Sequence, residues 1–276
     1  MNPHRAHPTS PLAIFVSLWD NRQLILQMTR REIAGRYTGS FIGSAWSFIY
    51  PLLMLIIYTF VFSVVFKARW GADENESKTE FAIILFAGMI VFNIFSEVVN
   101  RAPSLILSNV NYVKKVVFPL EILPWVALGA SLFHAGASLL VLLVAQLLFK
   151  VVLPWTVLLF PLVLLPLIFF TMGLAWFLAA MGVFIRDIGQ ITSVVTTVLM
   201  FLSALFYPVS ALPRDYQAVL SFNPLVHLIS ESRKVLVFAL TPAWGDWVML
   251  LLASLGIASL GFWWFQKVRK GFADVI

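Results

Sequence analysis

The sequence contains several long runs of residues with almost no charge. The first, residues 41–66, has no Asp, Glu, Lys or Arg. About 20 apolar residues in a helix are enough to cross the hydrocarbon core of a bilayer. The whole chain is 61% hydrophobic and only 12% charged, whereas soluble domains average about 45–50% apolar and about 25% charged residues. A soluble globule cannot bury so much apolar surface, and disordered chains do not carry it, so the sequence predicts a polytopic membrane protein.

The apolar runs predict an all-α integral membrane fold in which a single membrane domain fills residues 1–276. Six spans are expected, at residues 41–66, 81–99, 120–149, 154–185, 188–209 and 247–265. Residues 14–37 have one apolar and one polar side when placed on a helix, which is typical of a helix lying in the membrane surface. Residues 101–115 are expected to form a short helix at the membrane boundary. Residues 212–245, which are interrupted by prolines, are expected to form a re-entrant or interfacial helical hairpin.

The distribution of basic residues predicts the orientation. With a cytoplasmic N-terminus and six spans, 12 of the 19 Lys and Arg residues fall on the cytoplasmic side and seven fall outside. Cytoplasmic loops of membrane proteins carry an excess of Lys and Arg. The net charge of +6 is therefore assigned to membrane topology, and no nucleic-acid partner is predicted. Both termini are expected in the cytoplasm.

The sequence offers no catalytic or cofactor-binding motif. There is no Gly-rich phosphate-binding loop, no zinc motif and no nucleophile elbow, the chain has no Cys, and its four His are scattered. No catalytic residue, metal site or resident cofactor is predicted. Ionisable residues are also rare inside the spans, which argues against a proton- or ion-coupled carrier. His134 is interpreted as hydrogen-bonded to a neighbouring helix, and Glu97 and Glu121 as boundary residues at span ends.

Two spans carry stripes of aromatic and hydroxyl side chains. Rings can stack on the CH faces of sugars and hydroxyls can exchange hydrogen bonds with them. The same residue types also serve as helix-packing contacts and as interfacial anchors, and this alternative stays open. The candidate channel-lining residues are Ser47, Tyr50, Tyr58, Phe62, Ser193, Thr197, Met200, Ser203 and Tyr207.

The order of several short motifs resembles the permease subunits of bacterial polysaccharide ABC exporters, the type 2 exporter family that includes O-antigen, capsule and teichoic acid permeases. The likeness to O-antigen permeases is the strongest, and it extends over almost the whole chain. The matching residues are Arg36-Tyr37, Gly39-Ser40, Gly43, Trp46 and Pro51; Asn109 with Lys114-Lys115 and Phe118-Pro119; Arg186-Asp187; and Tyr207-Pro208, Leu212-Pro213, Asn223-Pro224 and Arg233.

The resemblance implies a division of labour between subunits. Two copies of the chain would form one channel, with spans one and five at its centre, and two copies of a separate ABC ATPase would bind ATP and Mg²⁺. The substrate would be a polysaccharide on a lipid diphosphate, exported across the bacterial inner membrane. Residues 101–115 would form the coupling helix that meets the ATPase, with Asn109, Tyr112, Lys114 and Lys115. Arg30, Arg31 and Arg36 of the interface helix would meet membrane lipid headgroups or the carrier diphosphate, and Arg186 and Asp187 would mark a span boundary.

Three alternatives remain open at this stage. A capsule or teichoic acid permease would share every feature above. A permease for small molecules or drugs would need a compact pocket in place of a continuous channel. A membrane enzyme acting on lipid-linked sugars would be expected to place acidic residues together at one membrane face, yet the densest acidic segment, residues 73–80, has no adjacent apolar pocket in the sequence.

Overall fold

The computed structural model describes residues 10–66, 70, 78–114, 118–149 and 153–276. All regular structure within these ranges is helical, which confirms the all-α prediction. The α-helices of this part of the chain are α1 Pro11–Asp20, α2 Arg22–Tyr37, α3 Trp46–Tyr58, α4 Lys78–Arg101, α5 Val110–Lys114, α6 Leu123–Leu148, α7 Phe160–Phe184, α8 Ile188–Leu202, α9 Arg214–Ser221, α10 Pro224–Leu236, α11 Trp244–Val268 and α12 Phe272–Val275.

In the described ranges, five helical segments are long and apolar enough to cross a membrane. Four of them match the first four predicted spans to within a few residues, and the last one matches the span predicted at residues 247–265. Each long helix is extended at its ends by short 3-10 or π-helical turns. The segments are Gly43–Phe62, Thr79–Ser104, Leu120–Leu148, Trp155–Phe184 and Trp244–Val275.

Helix α4 is the centre of the bundle. Every side chain from Phe81 to Phe92 is buried, and α3, α6, α7, α8 and α10 all pack against this helix. A helix that is apolar on all sides must be surrounded by protein or by lipid. Here protein surrounds it, so most of its apolar surface is hidden within a single chain.

Helices α7 and α11 pack together closely because glycines face each other. A Cβ atom built on Gly261 would lie 2.0 Å from the carbonyl oxygen of Gly173, and one built on Gly173 would lie 2.6 Å from that of Ile257. Small residues let helix backbones approach in this way within membranes. Next to this contact, the Trp176 ring packs edge-on against Phe262, with the ring centroids 5.0 Å apart.

The expected interface helix at residues 14–37 is two helices in the structure. Asn21 separates α1 from α2, and its side chain donates to the carbonyl of Ser17 at 2.8 Å. A polar residue is among those that these helices bury. Thr29 is buried against Gly129 of α6, and a Cβ atom built on Gly129 would lie 2.8 Å from the Thr29 Oγ1. Leu26 of the same helix is 57% exposed. The segment therefore packs against α6 through a small-residue contact that apolar periodicity does not reveal.

The region predicted as a fifth span, residues 188–209, is helical only as far as Leu202. Beyond it, Ala204 has a positive φ of 51°, a conformation that side chains disfavour. The Asn223 side chain donates to the carbonyl of Leu202 at 3.0 Å, which satisfies part of the helix end. The chain then turns into α9 and α10, the two helices found where a hairpin was expected.

The expected coupling helix at residues 101–115 is also not continuous. Two 3-10 turns, Ala102–Ser104 and Leu107–Asn109, precede the short helix α5. Pro103 lacks a backbone N–H, and its carbonyl contacts α7 so closely that a Cβ on Gly182 would lie 2.1 Å from it. The prediction of one helix is therefore wrong, because Pro103 and its packing against α7 end the helical hydrogen-bond pattern here.

Candidate functional site

The predicted lining residues of the first span lie on a helix that is largely uncovered in the single chain. Phe48, Leu52, Ile56 and other large apolar side chains of α3 are exposed, and Tyr50 is 57% exposed. Tyr58 and Phe62 are partly buried. Ser47 is only 4% exposed, and its hydroxyl donates to the carbonyl of Ser44 at 2.6 Å. The structure thus buries Ser47, which lines a cavity between helices together with Tyr50.

Helix α8 separates its hydroxyl side chains onto two faces. Thr192 and Thr196 are buried, and Thr196 donates to the Asn100 side chain of α4 at 2.9 Å. Ser193 and Thr197 are exposed, on a helix that also exposes Val194 and other large apolar residues. Packing and possible lining are therefore assigned to different threonines of the same helix.

Near the end of α8, one of the predicted channel-lining residues is buried and two others are partly exposed. Ser203 is fully buried and lies 3.2 Å from the Asn223 amide, so it supports the helix end and does not face an open surface. Met200 and Tyr207 are partly exposed. The Tyr207 hydroxyl donates to the carbonyl of Phe201 at 2.7 Å.

The two predicted lining segments meet at one end. The Phe62 ring, in the π-helical turn after α3, stacks on Phe206 with ring centroids 5.4 Å apart and an interplanar angle of 17°. Phe206 in turn packs against Phe201 of α8. Segments that are far apart in sequence therefore form a single aromatic contact. Their exposed faces belong to neighbouring parts of the surface.

A cavity of about 440 Å³ lies between α2, α3, α4 and α6. At its wall, Arg36 Nη2 lies 2.6 Å from Glu97 Oε1 and Arg36 Nη1 lies 3.2 Å from His134 Nδ1. His134 therefore contacts groups on two other helices, as predicted. Arg36, which was predicted to meet lipid headgroups or the carrier diphosphate, forms an ion pair with Glu97, and its side chain remains 39% exposed. This pairing neutralises the charge of the wall.

The remaining lining of this cavity is polar and aromatic. Asn93, Ser96, Ser131 and Ser138 supply amide and hydroxyl groups, and Trp46 and Tyr50 of α3 supply rings. Tyr37 also lines it, with its ring edge-on to His134. Burial raises the pKa of Tyr37 above its ordinary value, so its hydroxyl stays neutral at physiological pH.

The other arginines of the predicted interface helix face outward. Arg30 and Arg31 are exposed on α2, and Arg30 borders a shallow concavity with Ile33, Thr38 and Phe133. A further ion pair joins Glu32 of α2 to Arg101 at the end of α4. The C-terminal half of helix α2 is thus tied to the C-terminal end of α4 by two ion pairs.

The predicted ATPase-coupling residues lie near the C-terminal helices. The Tyr112 ring stacks on Phe118 with centroids 4.3 Å apart, and Lys114 Nζ lies 2.6 Å from the carbonyl oxygen of Ile276. The Asn109 side chain donates back to the carbonyl of Leu105 at 2.8 Å. Lys115 lies outside the described residues.

Glu121 connects this segment to the rest of the bundle. Its carboxylate lies 2.5 Å from Arg269 Nη1, and the same guanidinium donates to the carbonyl of Phe118 at 2.7 Å. The backbone carbonyl of Glu121 accepts from the Trp176 indole at 3.0 Å. Glu121, predicted to lie at the end of a span, therefore links the segment after α5 to α7 and to the residues that follow α11.

Arg186 and Asp187 occupy the turn between α7 and α8. Both side chains are exposed, and the carbonyl of Asp187 accepts the first backbone hydrogen bonds of α8, from Gln190 at 3.0 Å and Ile191 at 3.1 Å. In the described part of the chain, no group of three or more His, Asp or Glu side chains is arranged to hold a metal ion.

The sequence did not reveal the role of Arg233. This residue of α10 is 4% exposed and donates to the carbonyls of Ala204 and Leu205 at 2.8 Å each. A third bond reaches the carbonyl of Ile84 at 3.1 Å, and the guanidinium lies 4.2 Å from the Trp70 ring centroid. Burial of a basic residue in a proline-rich segment has no sequence signal that separates it from an exposed loop residue.

Comparison with known proteins gives one family and several full-length relatives. The family model described as ABC-2 type transporter matches residues 23–237. The O-antigen export system permease protein RfbA of Myxococcus xanthus is 29% identical over 94% of this chain and 97% of its own length. A protein of the same name from Klebsiella pneumoniae is 22% identical over 92% and 95%. The polysialic acid transport protein KpsM of Escherichia coli is 25% identical over 75% and 78%.

Proposed function

Because this chain belongs to the ABC-2 type transporter family, we propose that it is the membrane permease of a bacterial exporter of lipid-linked polysaccharide of the O-antigen type. The observation that carries this proposal is the match to O-antigen permeases over more than nine-tenths of the chain. The five apolar helices supply the membrane body that such a protein needs. Capsule polysaccharide export is the second candidate, since the KpsM match covers three-quarters of the chain.

The energy for export comes from a separate ATPase in this proposal. The sequence has no phosphate-binding loop with which to hold ATP, and permeases of this family work with a partner that hydrolyses it. Two ATPase copies, each with ATP and Mg²⁺, act on the segment Ala102–Lys114 from the cytoplasm. The tie from Glu121 to Arg269 and Trp176 supports the idea that movement at this segment is passed to α7 and α11.

Two copies of the chain form the channel. The uncovered faces of α3 and α8 carry apolar and aromatic side chains that a second copy of the chain can cover. The lining in this proposal is narrower than the predicted set, because Ser47 and Ser203 are buried. It consists of Tyr50, Tyr58, Phe62, Ser193, Thr197, Met200 and Tyr207.

Helix α8 is the sixth crossing in this arrangement. Its 15 residues rise only about 22 Å, less than the roughly 30 Å of the hydrocarbon core. The α9–α10 hairpin enters the membrane from the outer side and spans the thickness that α8 does not reach. Helices α1 and α2 lie at the cytoplasmic surface of the inner membrane, where the exposed Arg30 and Arg31 meet lipid headgroups, and both termini are cytoplasmic.

Deletion of the gene in its own organism tests the proposal. We expect lipid-linked polymer to accumulate inside the cell and surface polymer to be lost, since no other route crosses the membrane. Lipid-linked polymer on the inner-membrane face is measured by its accessibility to a glycosidase in inverted vesicles. Normal surface polymer in the deletion strain would contradict the proposal, and the wild-type gene on a plasmid is the control.

A further inference from the structure

The cavity between α2, α3, α4 and α6 has an unusual combination of groups. The Arg36 and Glu97 charges cancel in a 2.6 Å ion pair, and His134 Nδ1 lies 3.4 Å from the second carboxylate oxygen. The other ring nitrogen, His134 Nε2, is buried without a hydrogen-bond partner in the described part of the chain. Buried polar atoms normally have a partner, so this nitrogen is an unsatisfied polar group in a side chain of the cavity wall.

The neighbouring groups both donate and accept hydrogen bonds. Asn93 is exposed to the cavity, and its amide makes no hydrogen bond to any described residue. Ser96 and Ser138 present hydroxyls beside it. The Asn93 amide can both give and take a hydrogen bond, while the hydroxyls of Ser96 and Ser138, which already donate to the carbonyls of Asn93 and His134, can still accept one. Trp46 and Tyr50 add aromatic rings at the same cavity, and both are more than one-third exposed.

This combination selects one chemical class of ligand. A phosphate is an anion that mainly accepts hydrogen bonds and would meet the Glu97 carboxylate, while an ammonium group only donates and would meet the Arg36 guanidinium. Sugar hydroxyls do both, and the CH face of a sugar stacks on aromatic rings. The volume of about 440 Å³ falls within the range of roughly 300–1,000 Å³ that is usual for small-molecule sites.

We propose that each chain holds a sugar unit in this cavity, within the subunit and bordering the proposed channel at Tyr50. Ring-face contacts come from Trp46 or Tyr50, and hydrogen bonds come from Asn93, Ser138 and the Arg36–Glu97–His134 cluster. The role of the site rests on the proposed function. In that function, the site retains a sugar unit of the polysaccharide beside the interface helix α2 before the polysaccharide enters the channel.

Direct binding to the full chain tests the site. The protein is placed in phosphatidylcholine nanodiscs, and saturation-transfer difference NMR is recorded with free glucose, mannose, galactose and N-acetylglucosamine, and separately with ethanolamine. Inorganic phosphate is followed by phosphorus NMR. We expect saturation transfer to at least one sugar and to neither ion. Binding of phosphate or ethanolamine without any sugar, or of no probe at all, would overturn the proposal.

Two matched serine variants show where the sugar binds. Ser138 and Ser259 are both partly buried, and each donates to the carbonyl four residues earlier in its own helix. Only Ser138 lines the cavity. We expect Ser138→Phe to abolish saturation transfer and Ser259→Phe to preserve it. Equal signals from both variants would place the sugar elsewhere and overturn the proposal.

A milder variant keeps the test decisive if Ser138→Phe fails to fold. Asn93→Ala removes one exposed amide, so the fold is expected to survive. Loss of one hydrogen bond predicts about fivefold weaker sugar binding, and unchanged affinity would contradict the site. Sugar binding together with normal surface polymer in the deletion strain would refute the proposed function and leave the site standing. Loss of surface polymer without any sugar binding would refute the site alone.

Discussion

At the scale of single residues, the clearest result is that ion pairs and buried cations join distant parts of the chain. Arg36 and Glu97 are 61 positions apart, and Glu97 and His134 are 37 apart. The sequence showed that ionisable residues are rare near the spans, which is expected because a charge inside the membrane is costly. It did not show that they meet, because no periodic pattern links residues on different helices. The interpretation of His134 as a hydrogen-bonded residue was correct, while contact of Arg36 with lipid headgroups or the carrier diphosphate stays a prediction.

Arg233 provides a residue-scale prediction. Arg233→Met keeps the length of the side chain but leaves the carbonyls of Ala204 and Leu205 without the donors they have now. Each buried polar group left unsatisfied costs about 1–3 kcal/mol, so we expect a large fall in the thermal unfolding midpoint of the detergent-solubilised protein. Arg214→Met is the control, because Arg214 is exposed. Equal midpoints for the two variants would show that the buried bonds contribute nothing.

At the scale of helices, the spans were predictable and their ends were not. Uninterrupted apolar runs locate five membrane-length helices because hydropathy is a local property. The ends depend on partners elsewhere. Helix α8 stops at Leu202, where Asn223 binds its last carbonyl, and the predicted coupling helix is broken near Pro103, whose carbonyl meets Gly182. A run of apolar residues carries no information about such contacts.

The packing of α7 on α11 gives the second prediction. In Gly261→Ala, the new methyl would lie 2.0 Å from the carbonyl oxygen of Gly173, so the two backbones must move apart. We expect poor yield of folded protein and a lower unfolding midpoint. Gly256→Ala is the matched control, since it lies on the same helix and its Cβ would meet nothing within 4 Å. That change should be neutral or should stabilise the helix by up to about 1 kcal/mol.

The tie between the coupling segment and α11 gives the third prediction. Glu121 and Arg269 are each 11% exposed, and removing one partner of a buried pair costs about 3–5 kcal/mol locally. We expect Arg269→Met to lower the amount of polymer exported per ATP hydrolysed, while the partner ATPase still binds and turns over. The measurement uses the reconstituted permease–ATPase complex.

The neighbouring Lys270→Met is the control for this experiment, because Lys270 is exposed. If Arg269→Met leaves the ratio of export to hydrolysis at the value of the control, the tie plays no part in transmission. If ATPase binding itself is lost, the residue supports the docking surface and does not transmit movement.

At the scale of the whole molecule, a single chain leaves the outward faces of α3 and α8 uncovered. The sequence predicted a membrane bundle because its charge content is too low for a soluble protein. It also singled out two helices, α3 and α8, on which the structure leaves large apolar side chains exposed. It did not predict which side of each helix is open, since hydroxyl residues occur on both faces of α8. That distinction requires the position of α4.

The fourth prediction uses the absence of Cys from the chain. Any introduced Cys is therefore the only thiol. We expect Thr197→Cys, on the exposed face of α8, to give a covalent dimer in native membranes treated with a short bis-maleimide. Thr192→Cys, on the buried face, should remain monomeric. Monomers from both variants, read on denaturing gels, would contradict a channel centred on α8.

The enclosure of α4 has a consequence for how the protein is made. During synthesis a helix leaves the translocon into lipid before its later neighbours exist, and its own apolar side chains must make that partition favourable. In the finished bundle, protein replaces lipid around the same side chains, which are buried from Phe81 to Phe92. These side chains must therefore be compatible first with lipid and then with the protein interior. A polar substitution there would impair biogenesis as well as final packing.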